Sequence, residues 1–165
     1  MTEAGPTVTL RSLRPDEFAD FVAASKAGYA HDIAQHGGFS QEFARQKAEA
    51  DFATILPAGL ETAGHAIFVL EADGARVGVL WVAEREVGAR QVLFIYDIEI
   101  DPAFRGRGLG RAAMLLAEDQ ARQRGISRIA LNVFGGNDVA RGLYRSLGYV
   151  ESSVQMAKDL APEAY

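Results

Sequence analysis

The stretch from Ile98 to Arg111, IEIDPAFRGRGLGR, narrows the folds open to this chain more than any other part of it. An apolar run, Val92-Leu93-Phe94-Ile95-Tyr96, leads into alternating Ile98 and Ile100, and the pattern stops at Asp101-Pro102. Gly106, Gly108 and Gly110 then fall at alternate positions before a helical stretch with Leu115 and Leu116. The glycines leave the backbone bare where a strand turns into a helix. Free amide N–H groups at such a helix start, together with its partial positive charge, make a seat for an anion. Arg105, Arg107 and Arg111 add full charges around it. The segment therefore predicts a site for phosphate or pyrophosphate.

Three readings of the glycines compete. A plain Gly-rich turn does not need three arginines. A dinucleotide fingerprint is spaced G-x-G-x-x-G, whereas these glycines run G-x-G-x-G. It also expects an acidic residue about 20 positions on, where Leu131-Asn132-Val133 carries an amide. A phosphate P-loop would need Gly-Lys-Ser/Thr, which does not follow. The third reading, a pyrophosphate seat carried by Arg105-x-x-Gly108-x-Gly110, fits the letters. The formal net charge of −5 argues against non-specific nucleic-acid binding and makes the arginine cluster a local basic patch. An acidic remainder draws a cationic acceptor such as an amine, weakly and in a salt-dependent way.

The rest of the chain reads as one continuous domain over 1–165, with no internal repeat, low-complexity tract or linker. Thr7 to Arg14 alternates as a first strand. Pro15, with Asp16 and Glu17, opens a helix whose Phe18, Phe21, Val22 and Ser25 share a face and which Gly28 ends. A mobile stretch, Ala30 to Gly38, follows. Ser40 caps a second helix through about Leu56, with Phe43, Ala48, Phe52 and Ile55 facing the core. His65 to Ala72 and Arg76 to Glu84 form a hairpin about Asp73-Gly74, and Gln91 to Ile100 is the next strand. A third helix from Gly108 to Arg124, a strand Arg128 to Phe134, a helix Asn137 to Leu147 and a final strand from Tyr149 complete a βααβββαβαβ order.

A second constellation lies downstream: Leu131-Asn132-Val133, then Asn137, Ala140, Leu143-Tyr144 and Leu147-Gly148-Tyr149. Seven residues, two helical turns, separate Asn137 from Tyr144, so their side chains share a helix face.

Arg105-x-x-Gly108-x-Gly110 resembles the acyl-CoA pyrophosphate motif, Q/R-x-x-G-x-G/A, of the GNAT superfamily of N-acetyltransferases. The Asn137-to-Tyr149 segment resembles the same family's N-x-x-A-x-x-L-Y-x-x-x-G-F/Y. The resemblance covers roughly residues 8 to 160, with its specific letters between 92 and 149. It implies an α/β fold: a central twisted mixed sheet flanked by helices, with strands four and five splayed by a β-bulge. It also implies an enzyme that moves an acetyl group from acetyl-CoA to a primary amine by direct attack. The amine could belong to a small molecule or a protein.

Cofactor contacts implied in this way are the backbone of Ile98 and Ile100 in strand four, the loop Arg105, Gly106, Arg107, Gly108, Leu109, Gly110 and Arg111, and Asn132 and Asn137. Tyr144 is the implied general acid at the leaving sulfur; its alternative is a core aromatic. The base is more open. Some relatives carry a Glu in strand five where this chain has Asn132, so Glu99 in strand four is assigned, with Asp97 or a water chain as alternatives. A catalytically silent acyl-CoA-binding regulatory domain and a transferase of longer acyl chains are the rival functions.

His31 and His36 lie five apart, no cysteine is present, and no metal site is expected. Tyr29, His31 and Asp32 belong to the region that lines the acceptor pocket in the family. Trp81 reads as core, and Arg122 and Arg124 as complements to a helix C-terminus. No apolar run spans a membrane and the first residues lack signal-peptide features, so no membrane association and a cytoplasmic location are expected. A homodimer is a further expectation from the resemblance.

Overall fold

The computed structural model describes residues 7–160. One sheet runs in the order β1 (Val8–Ser12), β2 (His65–Ala72), β3 (Ala75–Val87), β4 (Arg90–Ile100) and β5 (Ile129–Leu131). Strands β1 to β4 pair antiparallel, while β5 lies parallel to β4. The helices are α1 (Phe18–Gly37), α2 (Gln41–Ile55), α3 (Leu109–Gln123) and α4 (Asp138–Ser146). A parallel pair needs a crossover, and α3 supplies it between β4 and β5. This is the mixed α/β sheet that the sequence predicts.

The sheet is covered on both faces. On one, Leu80, Val82, Leu93 and Ile95 meet Ala113, Met114 and Ala117 of α3, with Leu143 and Tyr144 of α4 at the margin. On the other, Val69, Val79 and Trp81 meet Phe21 of α1 and Phe52 of α2. Two-sided burial explains why β3 is apolar without a break from Val77 to Ala83, instead of alternating. Each large side chain fully buried there contributes roughly 1.5–3 kcal/mol. Trp81, 1% exposed, is core as expected.

Local signals account for most boundaries. Asp73 and Gly74 both take positive φ (51° and 77°) and close the β2–β3 hairpin in the two-residue form that suits strand twist. Ser40 caps α2 by accepting the Phe43 amide at 3.2 Å. Gly108 turns the chain into α3 at φ 77°.

Five expectations are corrected. Gly28 does not end α1, because it stays helical; the left-handed residue that terminates a helix is Gly38, at φ 72°. Ala30 to Gly37 is therefore ordered helix, held by buried Ile33. Phe43 is largely exposed and stacks on Phe39 at 4.7 Å, while Ala44 takes the inward position. The fifth strand is three residues rather than seven, since its pairing with β4 stops at Ile95↔Leu131. Among the described residues no strand follows Tyr149. Gly148 turns the chain at φ 89°, the Tyr149 amide bonds back to the Tyr144 carbonyl, and Arg141 and Arg145 both hold Glu151, so the segment leaves along α4.

Two irregularities in pairing shape the centre of the sheet. Val77 is an extra residue in β3 opposite the Leu70–Glu71 step, and Tyr96 is an extra residue in β4 opposite the Trp81–Val82 step. Next to the first, β3 and β4 approach so closely that a methyl on Gly78 would lie 2.0 Å from the Glu99 carbonyl oxygen. Gly78→Ala should therefore cost about 2–4 kcal/mol in urea unfolding. Gly28→Ala, with no atom within 4 Å of the new methyl and a helical backbone, should instead gain up to about 1 kcal/mol. Equal effects at the two positions would contradict this packing.

Candidate active site

The bulge at Tyr96 changes which way β4 points. Strand side chains alternate, yet Tyr96 and Asp97 both turn to the α1–α2 face. Tyr96 stacks on Trp81 (4.8 Å, 23°) and on His65 (5.5 Å), while Asp97 pairs across the strands with Trp81. The Trp81 Nε1–H donates to His65 Nδ1 at 2.9 Å, and burial holds the His65 pKa below its ordinary value, which keeps that nitrogen an acceptor. This aromatic stack fixes the bulge from one side.

On the other side, the bulge frees an edge. Strand β5 pairs with β4 only over Leu93 to Ile95, and β4 runs on to Ile100. From Tyr96 to Ile100 the edge of β4 away from β3 has no strand partner among the described residues. The Ile98 and Ile100 side chains pack into the α3-side core, so what these residues offer a ligand is backbone.

The turn into α3 leaves a run of backbone amides ahead of the first helical bond. The first backbone bond of α3 runs from the Ala112 amide to the Gly108 carbonyl at 3.2 Å. The amides of Gly106 through Arg111 precede it without backbone partners among the described residues. Gly106 and Gly108 take φ of 75° and 77°, conformations that cost other residues about 1–2 kcal/mol. The Leu109 side chain is core, so only its amide faces the seat. Gly110 lets α4 approach: a methyl there would touch Leu143 at 3.4 Å.

The three arginines differ. Arg105 folds back onto β4, donating from Nε to the Ile100 carbonyl (2.8 Å) and from Nη2 to Glu99 Oε1 (3.1 Å). Arg107 reaches the Ala103 carbonyl at 3.2 Å and lies over Phe104. Arg111 donates to Ser146 Oγ at 2.8 Å and so ties the start of α3 to the end of α4. Asn137 is the N-cap of α4, its Oδ1 accepting the Ala140 amide at 3.2 Å. Asn132 is exposed, one residue beyond β5.

The two candidate carboxylates share a face, because their β3 partners Trp81 and Val79 both belong to the α1–α2 core. Their surroundings separate them. Glu99 has a side chain 45% exposed and is paired with Arg105. Asp97 is half-buried and accepts a hydrogen bond from Ser25 of α1. Burial pushes the Asp97 carboxyl up to about 6, and the charges of Glu99 and Asp32 push the same way; the Ser25 hydroxyl and the Ile98 amide pull it down. Tyr144 of α4 is raised by burial first, then by Asp97 and Asp32. Asp32, Asp97 and Tyr144 therefore feel one another across the opening between β4 and β5.

Among the acceptor-side candidates, Asp32 joins this group. Tyr29 instead donates to Asp51 of α2 at 2.9 Å, and His31 is exposed. His36 stacks on Phe134 at 6.1 Å, which lays the end of α1 over the loop between β5 and α4. The contact that sequence reasoning missed is Ser25 to Asp97. Its one signal was a polar residue on the apolar face of α1.

Matches to known proteins agree with this architecture. The acetyltransferase (GNAT) family pattern fits residues 30–149. The chain is 31% identical over 153 residues to the uncharacterized N-acetyltransferase YdgE of Bacillus subtilis, covering 92% of this chain and 98% of that protein. It is 32% identical to the uncharacterized N-acetyltransferase YycN of the same organism, over 93% of this chain and 99% of the relative. The crystal structure of YycN superposes with a TM-score of 0.89, covering 94% of this chain and all of that one. The fold is shared more distantly with the aminoglycoside N-acetyltransferase AAC(6')-Iy in complex with CoA, at a TM-score of 0.62 and 17% identity, over 97% of this chain and 99% of that one. The chain belongs to the GNAT family of acetyltransferases. It is an N-acetyltransferase.

The raised Asp97 carboxyl has a consequence for stability. A carboxyl whose folded pKa (about 6) exceeds its ordinary 3.8 binds its proton more tightly in the folded state. Stability contributed by that proton is present at pH below 4 and is lost as pH rises through 6. Asp97→Asn should thus stabilise the protein at pH 8 by on the order of 1–3 kcal/mol. The gain should vanish near pH 3.5 in thermal unfolding. A variant equally stabilised at both pH values would argue against a buried, ionised Asp97.

Proposed function

We propose that this enzyme transfers an acetyl group from acetyl-CoA to a primary amine by direct attack. One observation carries the reading. It is that β4 runs five residues past its pairing with β5 and leads to the start of α3, whose amides lack backbone partners among the described residues. The charge of Asp97 on β4 meanwhile reaches Tyr144 of α4, and we string these along one groove. Gly106 to Arg111 would hold the pyrophosphate by backbone amides, with Arg111 adjoining. Arg105 would have to exchange Glu99 for phosphate to join them. The backbone of Ile98 and Ile100 would take the pantetheine arm and polarise the thioester carbonyl, with Asn132 and Asn137 alongside.

In the reaction the amine nitrogen attacks the thioester carbon; a C–N bond forms as the C–S bond breaks. Asp97 takes the proton that the nitrogen sheds, directly or through water. The Tyr144 hydroxyl gives one to the departing sulfur, so the products are the amide and free CoA thiol. Asp97 suits the base better than Glu99, because Ser25 holds it, its charge reaches Tyr144 and its carboxyl is pushed up to about 6, near working pH, whereas Glu99 is exposed beside Arg105. Glu99 then serves to place Arg105. Asp97 and Asp32 also favour an acceptor that arrives as an ammonium ion and sheds one proton to solvent before the neutral amine attacks, on a chain of net charge −5. The whole of residues 1–165 is proposed to act as one domain. Absence of cysteine fits the reducing cytoplasm. No helix among the described residues is long and apolar enough to cross a membrane.

Incubation of acetyl-CoA with spermidine, tobramycin, tyramine and glycine amide, followed by thiol detection, tests the activity. Release of CoA with at least one amine is expected; binding of acetyl-CoA without release under any of them would favour a silent acyl-CoA-binding domain. Tyr144→Phe should lower kcat on the order of 10²-fold while acetyl-CoA affinity is little changed. An unaltered kcat would remove Tyr144 from the chemistry. Gly108→Ala should weaken acetyl-CoA binding roughly tenfold in calorimetry, through strain at positive φ. Undiminished binding would remove the pyrophosphate seat.

A further inference from the structure

Ser25, 7% exposed, is the buried polar side chain of the described core. It stands on the inward face of α1 with Phe21 and Ile33, where an apolar residue would pack without loss. A serine inside a helix commonly bonds to the carbonyl one turn back. Here the hydroxyl donates instead to Asp97 Oδ2, 72 positions away on β4. The contact exists only because the Tyr96 bulge turns Asp97 toward α1. Seven residues further along α1, two turns on the same face, Asp32 approaches the same carboxylate.

We propose that Ser25 is a positioning residue for acetyl transfer: its hydroxyl, anchored on α1, holds the Asp97 carboxylate in the orientation and the ionised state in which it accepts the amine proton. The inference rests on the reading of Asp97 as proton acceptor. The groups that face Asp97 are Glu99 on its own strand, Asp32 from α1 and Tyr144 from α4; its partner on β3, Trp81, is uncharged. Burial and the two carboxylates favour the protonated form. The Ser25 hydroxyl, bonding the charged form, opposes them. Without it, Asp97 would protonate at higher pH and lose the bond that fixes Oδ2.

The test combines a 13C NMR titration of aspartate-carboxyl-labelled protein with the pH profile of kcat/KM, using the fastest amine of the panel above and saturating acetyl-CoA. In Ser25→Ala the Asp97 midpoint should rise by about one pH unit and the acid limb of the profile should move with it. That makes kcat/KM about tenfold lower below the limb, with acetyl-CoA KM unchanged and the difference closing above pH 8. Ser25→Thr, which keeps a hydroxyl, should restore both. A loss of rate equal at every pH, or an unmoved Asp97 midpoint, would overturn the role of Ser25. Asp97→Asn separates the two layers. If it keeps full turnover, the reading of Asp97 falls and Ser25 with it. If it loses turnover while Ser25→Ala titrates as the wild type does, only the Ser25 role falls.

Discussion

One extra residue in β4 governs the rest of this molecule. Tyr96 breaks the alternation of the strand, and three results follow from that single insertion. Asp97 faces α1 instead of α3. Pairing with β5 ends at Ile95, the residue before the bulge. The edge left over has no strand partner among the described residues; Arg105 takes its Ile100 carbonyl and Asp97 its Ile98 amide, side-chain contacts a ligand would have to replace. A protein that only needed to be stable would close that gap. Here the aromatic stack of Trp81, Tyr96 and His65, with Arg85 beside it, holds it open.

The opening has a polarity. At one end, the start of α3 offers amide N–H groups and arginines to an anion. At the other, burial and then neighbouring carboxylate charge raise the proton affinities of Asp97 and Tyr144, with Asp32 among those charges. An acyl-CoA is itself polar in this sense, with phosphates at one end and a neutral thioester at the other. The acceptor amine, a cation before it reacts, belongs at the acidic end. On the proposed reading, electrostatics would orient both substrates with few side-chain contacts, and backbone would do most of the holding.

Much of this was legible in the sequence, for definite physical reasons. The Gly106–Gly108–Gly110 turn, the Ser40 cap and the Asp73-Gly74 hairpin are local signals that need no tertiary partner, and each appears where the letters place it. Gly28 misled because a glycine ends a helix only if the chain takes the left-handed conformation there, and the packing of Ile33 carries α1 through to Gly38. The strand pattern after Tyr149 was real as a pattern, but Glu151 is captured by two α4 arginines before the segment reaches the sheet. The choice between Asp97 and Glu99 lay beyond the sequence altogether. Alternation puts both on one face; only the Arg105 ion pair and the Ser25 hydroxyl, contacts with other elements, tell them apart.

The central claim is that the gap between β4 and β5 is the acetyl-CoA groove and that it ends at Tyr144 and Asp97. A crystal structure with CoA bound tests it most directly. The account predicts pyrophosphate oxygens on the amides of Gly106 to Arg111, a pantetheine arm along the β4 edge from Tyr96 to Ile100, and the sulfur within hydrogen-bonding reach of the Tyr144 hydroxyl. CoA bound elsewhere, or a sulfur remote from Tyr144 with the β4 edge still bare, would contradict it.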